Sequence, residues 1–297
     1  MSIRSSIQSN IIESYVIMAV FIAVIVGIAY VFGHATGYGD SYVFLAFLFA
    51  LAGSATSYFF GDQIVLAMSG ARPASRTRDF DFFTVTENMA IAAGLPKPKL
   101  YVIEDSAINA FATGRDPKHA VVVATTGLLT RLDRREIEGV VAHELSHVKN
   151  YDIRLMVIVA VLVGTIAYAC DLFLRNLWWN GRGRDNDRKD GGVFMIIGIV
   201  LAIVSPLIGM LIQLALSRRR EYLADADGAL LTRYPLGLAK ALEKIRKDTD
   251  VLEAGTNATA HLFIANPFKG KSSKAWFSNL FNTHPPIEER IKRLKAM

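Results

Sequence analysis

The chain alternates between two kinds of sequence that cannot share one solvent. Four segments, residues 15–32, 42–60, 155–174 and 193–216, contain a single formal charge, Asp171. In a helix rising 1.5 Å per residue, each is long enough to cross the roughly 30 Å hydrocarbon core of a bilayer. Core helices of soluble proteins are rarely so long and so free of charge. The remainder holds nearly all of the 33 basic and 27 acidic residues, which gives it an ordinary soluble composition. The expectation is therefore a membrane protein with four transmembrane helices and a soluble domain. The composition also argues against a disordered, fibrous or disulfide-stapled secreted chain. The first segment is too long for a secretory signal peptide and lacks a small-residue cleavage pattern, so it reads as an uncleaved anchor. Asp171 and Pro206 interrupt the third and fourth segments.

Orientation follows from the flanking charges. The first connection, residues 33–41, has no Lys or Arg, whereas Arg72, Arg76 and Arg78 follow the second segment. The positive-inside rule assigns the N-terminus and everything after residue 60 to the cytoplasm. Residues 217–297 return there if all four segments span. The connection 175–192, with five basic and three acidic residues, then faces outward, a mild departure from that rule, and a protein-packed placement of the last two segments stays open. Cys170 stands alone, which excludes an intrachain disulfide and fits a reducing compartment. The net charge of +6 suits a lipid bilayer with anionic headgroups, and no aromatic-plus-basic pattern points to nucleic acid.

The soluble part reads as α+β. Residues 81–93 form a predicted helix stopped by Gly94, and 99–104 and 119–124 are predicted strands, the second carrying Val121-Val122-Val123. Residues 107–113 are a third candidate strand, ending in the turn Gly114-Arg115-Asp116-Pro117. Asp133 and Glu136 form a capping-box signature for a helix running to about Asn150. Helices follow at 218–232 and 236–247. Residues 253–273 lack a period and read as a mobile loop. Residues 286–297 form a short basic amphipathic helix with Ile287, Ile291 and Leu294 on one face. Four parts result: an anchor (1–60), a first catalytic part (61–154), two further hydrophobic helices with their loop (155–216), and a second catalytic part (217–297).

The capped helix carries His143-Glu144-Leu145-Ser146-His147, an H-E-x-x-H. Histidines four apart share one helix face, so both imidazoles can reach one zinc ion at about 2.0–2.1 Å. Glu144 stands beside them as a candidate general base that is not itself a ligand. A catalytic zinc needs a third protein ligand and an open position, and Glu221 is the candidate. Taken alone, a Glu after Arg218, Arg219 and Arg220 is more often an ion-paired surface group; beside an H-E-x-x-H the order reverses. Asp225, four residues on, suits a hydrogen bond to the far nitrogen of a ligand histidine. Within 109–114, Asn109, Ala110 and Phe111 are candidates for binding extended substrate along a strand edge; a purely structural turn is the competing reading. His284 is either an oxyanion donor or the start of the last helix. The charges flanking the motif (Arg134, Arg135, Glu136, Glu138, Lys149, Asp152 and Arg154) argue against a catalytic helix inside the membrane.

H-E-L-S-H followed by S-R-R-R-E-Y-L-A-D resembles the membrane-bound M48 zinc metalloproteases, most closely the bacterial HtpX group. The resemblance runs along nearly the whole chain and includes Asn109-Ala110-Phe111-Ala112-Thr113-Gly114, Asn150-Tyr151-Asp152 and Thr283-His284-Pro285-Pro286. It implies a mostly helical gluzincin-type domain with a small β-sheet, in the inner membrane and facing the cytoplasm. It also implies one Zn2+ per chain on His143, His147 and Glu221, with Glu144 catalytic. The substrates it implies are misfolded or damaged membrane proteins. The alternative from another class is a zinc-stabilised membrane scaffold or chaperone partner without turnover.

Overall fold

The computed structural model describes residues 3–36, 40–180, 218–256, 258–265 and 285–297. Two long helices open the chain, α1 (Ile3–Thr36) and α2 (Asp40–Met68). Among the described residues, Ile7–Tyr30 and Val43–Met68 are the two stretches long and apolar enough to cross a membrane, and 17% of each is buried. A soluble core helix would bury most of itself. These helices instead turn Val16, Phe44, Leu45, Phe49, Phe59 and Phe60 outward, an apolar surface suited to lipid.

The third apolar segment lies in α6 (Asp152–Asn180) and divides its hydrophobicity differently. Residues 153–163 are buried inside the protein, against α1, α2 and the sheet. A helix apolar on every side is what such a position requires. The fourth segment, 193–216, lies outside the described residues.

The sheet contains β1 (Arg72–Pro73), β2 (Lys99–Ile103), β3 (Ala110–Thr113) and β4 (Val121–Thr125), in the order β1-β2-β4-β3. β2 and β4 are parallel, and β1 and β3 run antiparallel to their neighbours, which leaves β3 at an edge. Alternate strand residues feed two separate cores. Leu100, Val102, Ala110, Ala112, Val122 and Ala124 pack with α3 (Phe80–Ala93), α5 (Arg134–Lys149), α8 (Pro235–Lys247) and α9 (Ile287–Lys295). Ile103, Phe111, Val121 and Val123 pack on the other side with α6 and with Phe263. A sheet covered on both faces has no use for polar alternation, hence the valine run in β4.

The expected loop at 253–273 is corrected in its middle. Residues 258–265 are buried and contain a short 3-10 turn, Ala260–Leu262. His261 Nε2 donates to the carbonyl of Met156 (3.0 Å), and Phe263 meets Phe111 edge-to-face. These contacts come from residues 105 and 152 positions away, so no local period announces them. Residues 266–273 are outside the described residues. The short elements β1 and α4 (Thr126–Arg131) were also not anticipated.

α5 approaches α8 closely enough that a Cβ on Gly139 would lie 2.5 Å from the Leu238 nitrogen. Beyond α8, Asp248 ties that helix to the start of β3. Its carboxylate accepts from the Ile108 amide (2.7 Å) and from Arg131 (2.9 Å). Burial alone would raise the Asp248 carboxyl; the Ile108 amide, Arg131 and the Asp250 amide outweigh it and hold it below the usual 3.8. A depressed carboxyl contributes stability that is complete above its unfolded pKa and is lost as pH falls through the folded one. Asp248→Asn should therefore cost about 1–3 kcal/mol near neutrality. The gap to the parent should close on acidification from about pH 6 to about pH 3, measured by denaturant unfolding in detergent.

Candidate metal centre

α5 is nucleated by a complete capping box. Asp133 Oδ1 accepts from the Glu136 amide (2.9 Å) and Glu136 Oε2 accepts from the Asp133 amide (2.8 Å). From Gly139 to Val148 every residue of α5 is buried, so His143, Glu144 and His147 open into the interior of the domain. Asn150 ends the helix, and Tyr151 then adopts φ +62°, a left-handed conformation that costs about 1–2 kcal/mol for a residue with a side chain. The corner turns the chain sharply enough for Asp152, the first residue of α6, to reach back. His147 Nδ1 donates to Asp152 Oδ2 at 2.9 Å.

The other half comes from α7 (Arg218–Thr232), which crosses α5 where Gly228 faces the His143 backbone. A Cβ there would stand 3.1 Å from the His143 nitrogen. One face of α7 then presents Glu221 and Asp225. His143 Nδ1 pairs with Asp225 Oδ1 (3.0 Å). With both Nδ1 atoms committed to carboxylates, the Nε2 lone pairs are the ones that can bind a ligand, and Arg290 Nη2 stands 3.4 Å from the Nε2 of His143. Those nitrogens are 3.2 Å apart. Glu221 places Oε1 3.5 Å from His147 Nε2 and Oε2 3.8 Å from His143 Nε2. Donors at 2.0–2.1 Å from a tetrahedral ion sit about 3.3–3.4 Å from one another. The three side chains thus fit a zinc-sized ion, and among the described residues they form the group able to hold a metal.

Arg290, on α9, balances this acidic pocket and is 1% exposed. It grips Asp225 with two bonds, Nε to Oδ2 (2.9 Å) and Nη2 to Oδ1 (2.7 Å), and holds Nη1 3.3 Å from Glu221 Oε2. Burial would raise the Asp225 carboxyl, but Arg290 and His143 bring it down to about 2. Burial, helped by the Arg290 charge, lowers His143 despite Asp225. His147 goes the other way, up to about 9, because Asp152, Glu221 and Glu144 outweigh its burial. Burial, with the Glu221 charge beside it, pushes Glu144 up to about 7, while the Ala112 amide donates to its carboxylate.

The candidate substrate-binding residues lie on the edge strand β3 and just before it. Asn109, Ala110 and Phe111 are all buried. The Asn109 side chain donates to the Ala265 carbonyl (3.1 Å), and the Ile264 amide donates to the Ala110 carbonyl (3.0 Å). Residues 264–265 thus lie along the β3 edge where substrate was expected, and the Ile264 carbonyl accepts from Arg290 (3.3 Å). His284 lies outside the described residues. Two contributors were missed from sequence. Asp152 follows His147 by five residues at a helix start, a spacing with no fixed rule. Arg290 sits between Ile287, Ile291 and Leu294 on the apolar face of its helix, and a charge in that stripe was the available signal.

The pattern of peptidase family M48 matches residues 76–297. The chain belongs to that family. It is similar over nearly its whole length to proteins named protease HtpX homolog. The one from Thermoanaerobacter pseudethanolicus is 46% identical, over 97% of this chain and 95% of the relative. Those from Tropheryma whipplei, strain Twist (99% of this chain and 98% of the relative), and Pyrococcus abyssi (96% and 95%) are each 45% identical. Among solved structures, the crystal structure of S. mikatae Ste24p shares the fold. Its TM-score is 0.51 at 18% identity, over 98% of this chain and 66% of that one. This M48 peptidase is a membrane-bound metalloprotease, and the scaffold without turnover has no support.

Removing Arg290 leaves buried carboxylates without a counter-charge. Arg290→Met should cost about 3–5 kcal/mol in chelator-treated protein. A cation held by the same three side chains would neutralise the cluster and shrink the loss; paired denaturant titrations with added zinc and with chelator measure both values.

Proposed function

We propose that the chain is a zinc endopeptidase holding one ion per chain on His143, His147 and Glu221. The observation that carries this reading is the convergence of two imidazole nitrogens and one carboxylate, all within 4.8 Å, with a buried glutamate next to them in sequence. An ion bound there supplies Lewis acidity, polarising a carbonyl and acidifying a water. Asp225 and Asp152 hold the two imidazoles in the tautomer that presents Nε2. Glu144 takes the proton of the attacking water and delivers it to the leaving amine. The dry surroundings strengthen each of these interactions.

The polypeptide enters extended, main chain against β3. A substrate strand there would compete with residues 264–265 for the Asn109 side chain and the Ala110 carbonyl, while Phe111 fills the core beneath. The substrates are misfolded or damaged membrane proteins cut at the cytoplasmic face of a bacterial inner membrane. The two apolar helices and the arginines after the second support the membrane face; the substrate class is what the resemblance of H-E-L-S-H and S-R-R-R-E-Y-L-A-D to the HtpX group implies. The four-segment pattern supports a multi-pass topology that brings residues 217–297 back to the same face.

Glu144→Gln should lower chelator-sensitive cleavage of an unfolded model substrate by about 10²–10⁴-fold while elemental analysis still finds one zinc per chain. Proteolysis at the parental rate in that variant would sink the assignment of the base.

A further inference from the structure

The metal centre does not end with the soluble domain. The first membrane helix carries a polar patch at its catalytic-domain end, formed by Ser9, Asn10, Glu13 and Ser14. Asn10 is 4% exposed and uses both hydrogens of its amide. One goes to the carbonyl of Asn150, the residue that ends α5 (2.8 Å), and the other to Asp152 Oδ1 (2.6 Å). The opposite oxygen of the same carboxylate receives the His147 ring (2.9 Å). Three residues on, Glu13 binds Arg220 (2.6 Å), the neighbour of Glu221. α1 therefore touches the backbone corner that follows one ligand helix and the residue beside the third ligand.

A buried amide at the end of a membrane helix is costly unless it is satisfied, and its partners here are the groups that aim His147. A carboxylate pinned on one oxygen has a fixed plane, and so fixes the imidazole hydrogen-bonded to the other.

We propose that Asn10 is a positioning residue of the metal centre, holding Asp152 so that His147 presents Nε2 to the ion. The inference rests on the zinc reading of His143, His147 and Glu221. It makes the membrane helix part of the ligand scaffold as well as an anchor.

The test uses the full chain in detergent. Zinc affinity is measured by competition with a chromophoric chelator, and the d–d absorption of the cobalt-substituted protein reports ligand geometry. Asn10→Ala should weaken zinc about 10-fold or more and shift the cobalt bands. Ser14→Ala, whose hydroxyl bonds only to the Asn10 carbonyl of its own helix (2.7 Å), should leave both unchanged. In an Asp152→Asn background Asn10→Ala should add almost nothing, because the two act in series. Asn10→Ser, with one donor on a shorter arm, is taken through the same cycle should the alanine variant not fold. Zinc affinity within about twofold of the parent, or full additivity with Asp152→Asn, would reduce Asn10 to a docking contact and overturn the proposal. The parent chain and His147→Ala are titrated alongside. A parent that binds no zinc removes the metal reading itself, an outcome separate from the Asn10 result.

Discussion

Four carboxylates, those of Glu144, Asp152, Glu221 and Asp225, are buried around two histidines, and the rest of the domain is organised around making that tolerable. A carboxylate taken out of water is destabilising by several kcal/mol unless it gains a partner of opposite charge and its hydrogen bonds. Each is answered from a different part of the chain: Asp152 by α1 and His147, Asp225 by His143 and Arg290, Glu221 by Arg290, and Glu144 by the β3 backbone. The sheet, the corner at Tyr151 and the docking of the last helix are the means by which those partners arrive.

Arg290 carries the heaviest share. It binds Asp225 through two nitrogens, a planar geometry that lysine cannot reproduce. It also contacts the residues lying on the β3 edge. One guanidinium thereby joins the charge balance of the candidate metal ligands to the strand edge proposed to meet a polypeptide. A change at that edge reaches Glu221 through one side chain.

What the sequence disclosed, and what it hid, follows from the range of the interactions involved. The capping box, H-E-x-x-H and the stop at Gly94 are local and were read to within a residue or two. Chemical need asked for a third donor, and the place of Glu221 after the fourth apolar segment, with the resemblance of its surrounding motif, singled it out. Asp152 and Arg290 escaped because their roles depend on tertiary contacts: a left-handed tyrosine in one case, the docking of a nine-residue helix in the other. Residues 258–265 have an unremarkable composition yet are buried, because α6 and β3 close over them. The two membrane helices were legible as apolar runs. The third run concealed a division that hydropathy alone does not resolve, its first half serving the protein interior.

The close crossing at Gly228 has a bearing on whether a third donor can reach the two histidines. Because backbone meets backbone there, the spacing between the histidine helix and the glutamate helix is set by rigid atoms and not by adjustable side chains. Donors held 3.2–3.8 Å apart suit an ion that bonds at about 2.0–2.1 Å. A calcium ion, which prefers six or more oxygen ligands, would find two imidazole nitrogens and one carboxylate in this set. A side chain at Gly228 would meet the His143 backbone and hold Glu221 away from the two imidazoles, so the missing atoms on one helix decide whether the third donor arrives.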